Sequence, residues 1–270
     1  MTKTVLEWLL QTPGALEALA KQDCSLLFRR EANAFSSIPG TPIAYWISES
    51  FGKAFEKGIP LSKIMPASVG IQTGDNSRFI RLWWEPSKQE FCTPELYSLK
   101  EGTTYYLWYA YNKGGEYRKW YGNNDCVVQW KNDGDAVKTL LEGETRHWQD
   151  YKDELKFRPM ITWSRISSAD PTFRYKPAGF LSDMAGFSMF PLDGFESIIA
   201  FCNSSISNAF LGFLAPTMNY MVGDVMKLPV LDSGVDEENI ATRVRENIAL
   251  SKCDWDSFET SWDFRSHPLV

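Results

Sequence analysis

Histidine is nearly missing from this chain: His147 and His267 are the only two in 270 residues, and neither sits in a recognisable setting. His147 lies among charges and is expected to be solvated, and His267 is expected at the surface. The five cysteines, Cys24, Cys92, Cys126, Cys202 and Cys253, are scattered and odd in number, with no CxxC pair. Structural zinc needs closely spaced Cys and His ligands, so no metal site is expected, and each thiol is expected to be buried as a small apolar group. No apolar run reaches the roughly 20 residues of a membrane span. The first ten residues carry too short an apolar stretch for a secretory signal, so a cytoplasmic protein without membrane contact is expected. Walker A, G-x-G-x-x-G, G-x-S-x-G and H-E-x-x-H sequences are all absent. A Ser–His or Cys–His catalyst is therefore not expected.

What the chain does have is a normal apolar fraction, 44%, which is enough for a real core. Aromatics make up 14%, with 11 Trp, which leaves some rings for stacking outside that core. The net charge of −6 argues against a DNA-binding surface spread over the whole molecule, but the charge is uneven. Between Asp232 and Asp263, nine acids face only Arg243, Arg245 and Lys252, whereas Lys156–Lys176 holds five basic residues against Asp170 alone. A local basic face remains possible.

Along the chain, residues 1–35 and Ile43–Lys57 read as helix from their apolar spacing, separated by Ile38-Pro-Gly-Thr-Pro42. From about Leu61 the texture turns to strand, at Arg78–Trp84, Thr103–Tyr111 and Cys126–Trp130. Asn132-Asp-Gly134 is a turn before a helix at Ala136–Leu141, and Trp148–Leu155 reads as a charged helix. Strands are expected again at Met160–Ile166, Thr172–Tyr175 and Phe180–Met189. A helix follows at Phe195–Leu214, then a short strand at Met226–Val230 and a last helix at Val235–Leu250. The expected fold is α+β: a helical entry over 1–60, a mixed body over 61–230 and an acidic helical tail over 231–270. Without regular βαβ alternation, a doubly wound nucleotide fold is not expected.

Three segments carry binding chemistry. In Gly70–Arg81, the residues Gln72, Thr73, Gly74, Asp75 and Asn76 suit a loop meeting a base edge, with Arg78 or Arg81 on a phosphate. A polar turn entering a strand explains the same residues equally well. In Tyr111–Gly122, Lys113, Gly114, Gly115, Arg118, Lys119, Trp120 and Tyr121 interleave cations with aromatics, as in proteins that stack bases and hold phosphates. The alternative is a glycine-rich loop whose aromatics return to the core. In the third segment Arg165, Ser167 and Arg174 are of phosphate-binding type, and an ordinary strand face is the competing account. Asp183 is a lone acid that suits a turn better than catalysis.

Several longer stretches carry a resemblance: Ile38–Trp46, Thr73–Phe79, Tyr111–Asn124, Ile161–Ser168, Pro177–Phe180, Ala215–Asp224 and Asp254–Phe264. Over roughly residues 28–268 the chain resembles the target-recognition part of the adenine-specific DNA methyltransferases of BREX phage-resistance systems, the PglX family. More loosely it is similar to type IIG restriction–modification enzymes. The resemblance implies a large parent enzyme that methylates adenine N6 with S-adenosylmethionine through an N-P-P-[YF] module, while a separate region reads the flanking DNA. This chain has no N-P-P-Y or D-P-P-Y and no convincing cofactor motif, so it matches the part after the catalytic module. It also stops soon after Trp255–Phe264, which fits either a truncated reading frame or an excised piece. The implied partners are double-stranded DNA, a methyltransferase module in the same or another chain, and other phage-defence proteins. No cofactor is expected in this chain, and it is not expected to methylate DNA alone. The second reading is a protein-interaction module docking on a separate methyltransferase chain.

Overall fold

The computed structural model describes residues 48–99, 105–142, 152–192, 194–231, 234 and 236–269. The expected helix over 1–35 lies outside them. The chain divides into two compact units, Met1–Lys57 and Gly58–Val270. In the first, Glu49–Lys57 is helical, with Lys57 complementing the helix dipole in the last turn.

The second unit is α+β, as expected. Its largest sheet is built on β5 (Trp108–Asn112), every residue of which is buried. Burial on both faces explains why Trp-Tyr-Ala-Tyr shows no alternation of apolar and polar residues. On one edge β5 pairs antiparallel with β6 (Cys126–Gln129), which pairs with β3 (Ile80–Leu82). On the other edge two short strands run parallel to it: β4 (Phe91–Cys92) beside Trp108 and Tyr109, then β9 (Phe180–Ser182) beside Ala110–Asn112. A second sheet is antiparallel, in the order β2 (Ala67–Ser68), β10 (Gly186–Met189), β7 (Met160–Ser164), β8 (Phe173–Lys176). A small pair joins β1 (Ile59–Pro60) to β11 (Pro229–Val230). The core cluster gathers β5, β6 and β9 with Phe79, Trp130, Phe157 and Phe190.

Several sequence expectations are corrected here. Arg78–Trp84 is a strand only over Ile80–Leu82, because the Asp75 side chain accepts the Arg78 N–H and starts a helical turn at Asn76–Phe79. Phe180–Met189 is two strands, β9 and β10, since the Asp183 carboxylate accepts the Ala185 N–H and turns the chain. The helix expected over Phe195–Leu214 breaks after Cys202. There Asn203 hydrogen-bonds both the N–H and the C=O of Phe173, and Ser204 caps a new helix at Ser205–Leu214. Of Trp148–Leu155, Asp153–Leu155 forms a 3₁₀ turn and residues 148–151 lie outside the described ones. Cys92 and Cys202 are buried as expected, but Cys126 is half-buried and Cys253 is exposed; Cys24 and His147 are outside the described residues. The Asn132-Asp-Gly turn is present, with all three residues in left-handed conformation.

The C-terminal helix, Glu237–Trp255, is capped by Asp236, whose carboxylate accepts two backbone N–H groups, and Glu237 and Glu238 stand in its first turn. It packs on the helix Phe195–Cys202, where Arg245 holds Glu196 at 2.6 Å. Among the described residues no single helix is long and apolar enough to cross a membrane.

Candidate nucleic-acid interface

Three chain segments converge where β5 and β9 end together. The two strands run parallel, so Asn112 and Ser182 lie side by side and deliver Lys113 and Asp183 to one place. The Gly70–Asn76 loop closes onto this end: the Ile71 N–H donates to the Ser182 carbonyl at 2.7 Å. Gly70 has φ +83, and a Cβ there would lie 2.5 Å from the Ser182 oxygen and 2.6 Å from that of Asp183. Only glycine permits this approach. Gly186 and Gly114 do the same on the far side, where a Cβ on Gly186 would meet the Asn112 amide at 2.5 Å and the Gly114 nitrogen at 2.6 Å.

Asp183 is the hub. Its side chain is 10% exposed, and its carboxylate accepts from the Tyr111 hydroxyl at 3.0 Å, the Lys113 ammonium at 3.1 Å and the Ala185 N–H at 2.7 Å. A buried carboxylate needs such partners, and here they fix the strand ends relative to each other. Beside it opens a cleft of about 250 Å³ lined by Ile71–Gly74, Asn76, Asp183 and Met184. Thr73 is buried and donates to Asn76 Oδ1 at 2.7 Å, which orients the exposed amide. The Asp75 carboxyl sits below the usual range because the Ser77 hydroxyl and the Arg78 N–H donate to it. Arg78 is exposed and has no ion pair among the described residues.

Of the expected site residues, Gln72, Thr73, Gly74, Asn76, Lys113 and Gly114 come together with Asp75 and Arg78 at this strand end. The rest of the basic–aromatic loop turns elsewhere. Arg118 pairs with Asp254 at 2.9 Å and lies over the Trp255 ring. Lys119 donates to the Asn203 carbonyl at 3.1 Å. Trp120 bridges to β8 in a left-handed conformation, φ 72, and its side chain faces Ile240 and Arg243 of the C-terminal helix across a cleft. Tyr121 is buried, its hydroxyl pushed up to about 12 chiefly by burial, with the Lys252 ammonium over the ring. Tyr121 thus stands as a returning aromatic, whereas Trp120 is half-buried at that cleft, and Gly115 is the exposed turn between the two halves of the loop.

Arg174, expected on a phosphate, is a correction. It is fully buried, donating to the Arg118 carbonyl, Thr172 Oγ1 and Ser164 Oγ, and burial lowers it to about 10. Residue type could not show this, because the Tyr111–Gly122 loop lies against β8: the Arg118 carbonyl accepts from the Arg174 guanidinium, and Trp120 pairs along the strand edge. Lys176, two residues on, is buried on the same side. It donates to the carbonyls of Gly122 and Asn123 and to Asn124 Oδ1. Burial, then the Arg174 charge, holds it well below the ordinary lysine value. Both cations organise the loop from inside. Arg165 and Ser167 remain partly exposed on a ribbon next to Ala185, and the Arg165 Nε is buried without a hydrogen-bond partner.

Residue types missed Tyr111 as a site member, since its hydroxyl is hidden in an apolar strand. Asp183 was legible only as a turn acid. The signal for both lies in pairing: two parallel strands that end together bring their following residues together.

No protein-family model matches the chain. It is 36% identical over 260 residues to the adenine-specific methyltransferase PglX of Lacticaseibacillus casei (strain Zhang), covering 94% of this chain and 21% of that protein. It is 33% identical over 243 residues to the adenine-specific methyltransferase BrxX of Escherichia coli O9:H4 (strain HS), covering 88% and 19% respectively. The expected resemblance is borne out: the chain is a homologue of the adenine-specific methyltransferases PglX and BrxX, and spans about a fifth of their length.

Proposed function

We propose that this chain is a DNA-reading region that lends sequence preference to an adenine-specific methyltransferase. The observation that carries the reading is the Gly70–Arg78 loop. Its backbone is clamped against Ser182 and Asp183, while the Asn76 amide, the Ser77 hydroxyl and the Arg78 guanidinium stay exposed. A fixed backbone carrying an exposed, oriented amide and an exposed guanidinium suits base edges and phosphates. Lys113 and Gly114 adjoin this loop, and Arg165 and Ser167 extend the polar surface beyond Ala185. Arg118 and Lys119 serve the reading by holding the second loop in place. The residues around the cleft do not fit S-adenosylmethionine. Gly74 leads only into the single turn Asn76–Phe79, and the lining carboxylate is held by Tyr111, Lys113 and Ala185. Methyl transfer is therefore assigned to a partner module, in the same or another chain.

Fluorescence anisotropy on a randomised duplex pool tests this. Replacing Arg78 and Arg165 together by Ala is expected to weaken binding alike for all sequences and to lower the salt slope by about 2. Asn76→Ala is expected to leave the slope alone and flatten the ranking of selected sites. An unchanged ranking removes the loop as a reader.

A second reading has its own observation: the exposed acids Glu237, Glu238 and Glu246 on the C-terminal helix suit a basic protein partner. Pull-down of a separately produced methyltransferase module, lost on Glu-to-Gln replacement while DNA binding is retained, would favour it.

A further inference from the structure

The oxygen of one exposed amide in the Asp183 cleft is already committed. Thr73 is 2% exposed, and its hydroxyl finds one acceptor among the described residues, Asn76 Oδ1 at 2.7 Å. A buried O–H needs that acceptor, so the bond fixes which way round the amide sits. Asn76 therefore turns its oxygen toward the protein and its NH2 outward, where the NH2 has no partner among the described residues.

The neighbouring cation is also a donor. The Lys113 ammonium stands 3.1 Å from Asp183 Oδ2, and Asp183 is a wall of the cleft that Asn76 lines. That ion pair uses one of the three ammonium N–H groups, and the Lys113 side chain is 34% exposed, so donors remain for a ligand. Both Asp183 oxygens are occupied, Oδ1 by the Ala185 N–H and Oδ2 by Tyr111 and Lys113. The Gln72 amide can turn either way. The polar side chains of settled orientation around the cleft thus offer donors and withhold acceptors.

In duplex DNA two features take donors alone: a phosphate and the major-groove edge of guanine. Charge separates them. The Lys113–Asp183 pair is neutral and Asn76 is uncharged, so a phosphate would find no net positive charge here and would meet the Asp183 carboxylate. Neutral acceptors carry no such penalty. Guanine presents N7 and O6, both acceptors, whereas adenine and cytosine each put an amino donor on that edge and thymine has one acceptor beside its methyl group. An amino group facing these donors leaves hydrogen-bonding groups unpaired, and that mismatch is what rejects the wrong base.

We propose that the Asp183 cleft reads guanine: the Asn76 NH2 and the Lys113 ammonium donate to N7 and O6 of one guanine in the major groove of double-stranded DNA. This rests on the DNA-reading function above and names the base that the cleft selects. Thr73 and Asp183 act as positioning residues, the first by orienting the amide and the second by holding the ammonium and cancelling its charge.

The test uses the 270-residue chain and duplex sites selected from a randomised pool, with base analogues placed at each selected guanine. At one position 7-deazaguanine, which lacks N7, is expected to weaken binding about tenfold. Inosine, which keeps N7 and O6 and lacks only the minor-groove amino group, should bind there as guanine does. Asn76→Asp keeps an oxygen for Thr73 and exchanges the outward donor for an acceptor. Its selected pool should give up guanine at that position in favour of cytosine, whose N4 amino group is a donor. Ranked sites with every 7-deazaguanine tolerated overturn the guanine assignment and leave the reading loop standing. Sensitivity to inosine alone does the same, by placing the contact in the minor groove. An Asn76→Asp variant that binds every sequence less tightly but still selects guanine marks a phosphate contact and overturns the assignment too. No ranking among duplexes, or no duplex binding at low salt, overturns the DNA-reading function and the guanine with it.

Discussion

Lys176→Met is expected to melt well below the parent protein, by roughly 5–15 °C for a loss of about 2–4 kcal/mol. Two effects oppose each other. Removing the ammonium leaves the Gly122 and Asn123 carbonyls and Asn124 Oδ1 without their donor, and each buried orphan costs about 1–3 kcal/mol. Removing a buried charge recovers desolvation, several kcal/mol in an isolated case. Loss wins here because three acceptors share one donor and methionine replaces none of its bonds. The pH dependence separates this from simple repacking. Lys176 is held well below 10.5, so between its folded and unfolded values the unfolded chain carries a proton that the folded chain lacks. Stability from this group therefore rises with pH through that window, and below the folded value the penalty for the buried charge is fully present. Calorimetry across alkaline pH should show that slope in the parent and not in Lys176→Met. A variant that melts within about 2 °C of the parent would show the loop to be held by other contacts.

Gly70→Ala is expected to be the most damaging single substitution in the cleft. The new Cβ would sit 2.5 Å from one backbone oxygen and 2.6 Å from the next, neither of which can rotate away, at φ +83. Together these cost about 3 kcal/mol or more. Gly194 supplies the control: it also has positive φ, +64, but nothing lies within 4 Å of its Cβ position. Gly194→Ala should cost only the strain of the backbone region, about 1–2 kcal/mol. If the cleft reads DNA, Gly70→Ala loses discrimination between sites while salt-sensitive binding to any duplex persists. Equal melting of the two alanine variants would mean that the Gly70 loop gives way at little cost.

The fold class and most strands were legible because their residues carry period and composition: the buried Trp-Tyr-Ala-Tyr run, the Asn-Asp-Gly turn and the apolar face of the C-terminal helix. What local pattern could not carry was competition from side chains acting at a distance. Asn203 reaches β8 and stops a helix that its apolar neighbours would continue. Asp75 captures the Arg78 N–H and delays a strand. The same limit governs the site. Gln72–Asn76 and Lys113–Gly114 were found as separate polar glycine loops, and the parallel pairing of β5 with β9 is what unites them with Asp183. Arg174 shows the reverse failure. A cation between aromatics reads as exposed until its neighbours are known, and here backbone carbonyls and hydroxyls take its charge indoors.

The mutual approach of Gly114, Gly186 and Asn112 has a thermodynamic corollary. Segments locked by backbone contact on both sides cannot fluctuate independently, so the conformational entropy that most recognition loops surrender when they bind was already lost when this chain folded. Association with a ligand at this strand end should resemble rigid docking, with little ordering penalty in its entropy and free and bound loops that superimpose.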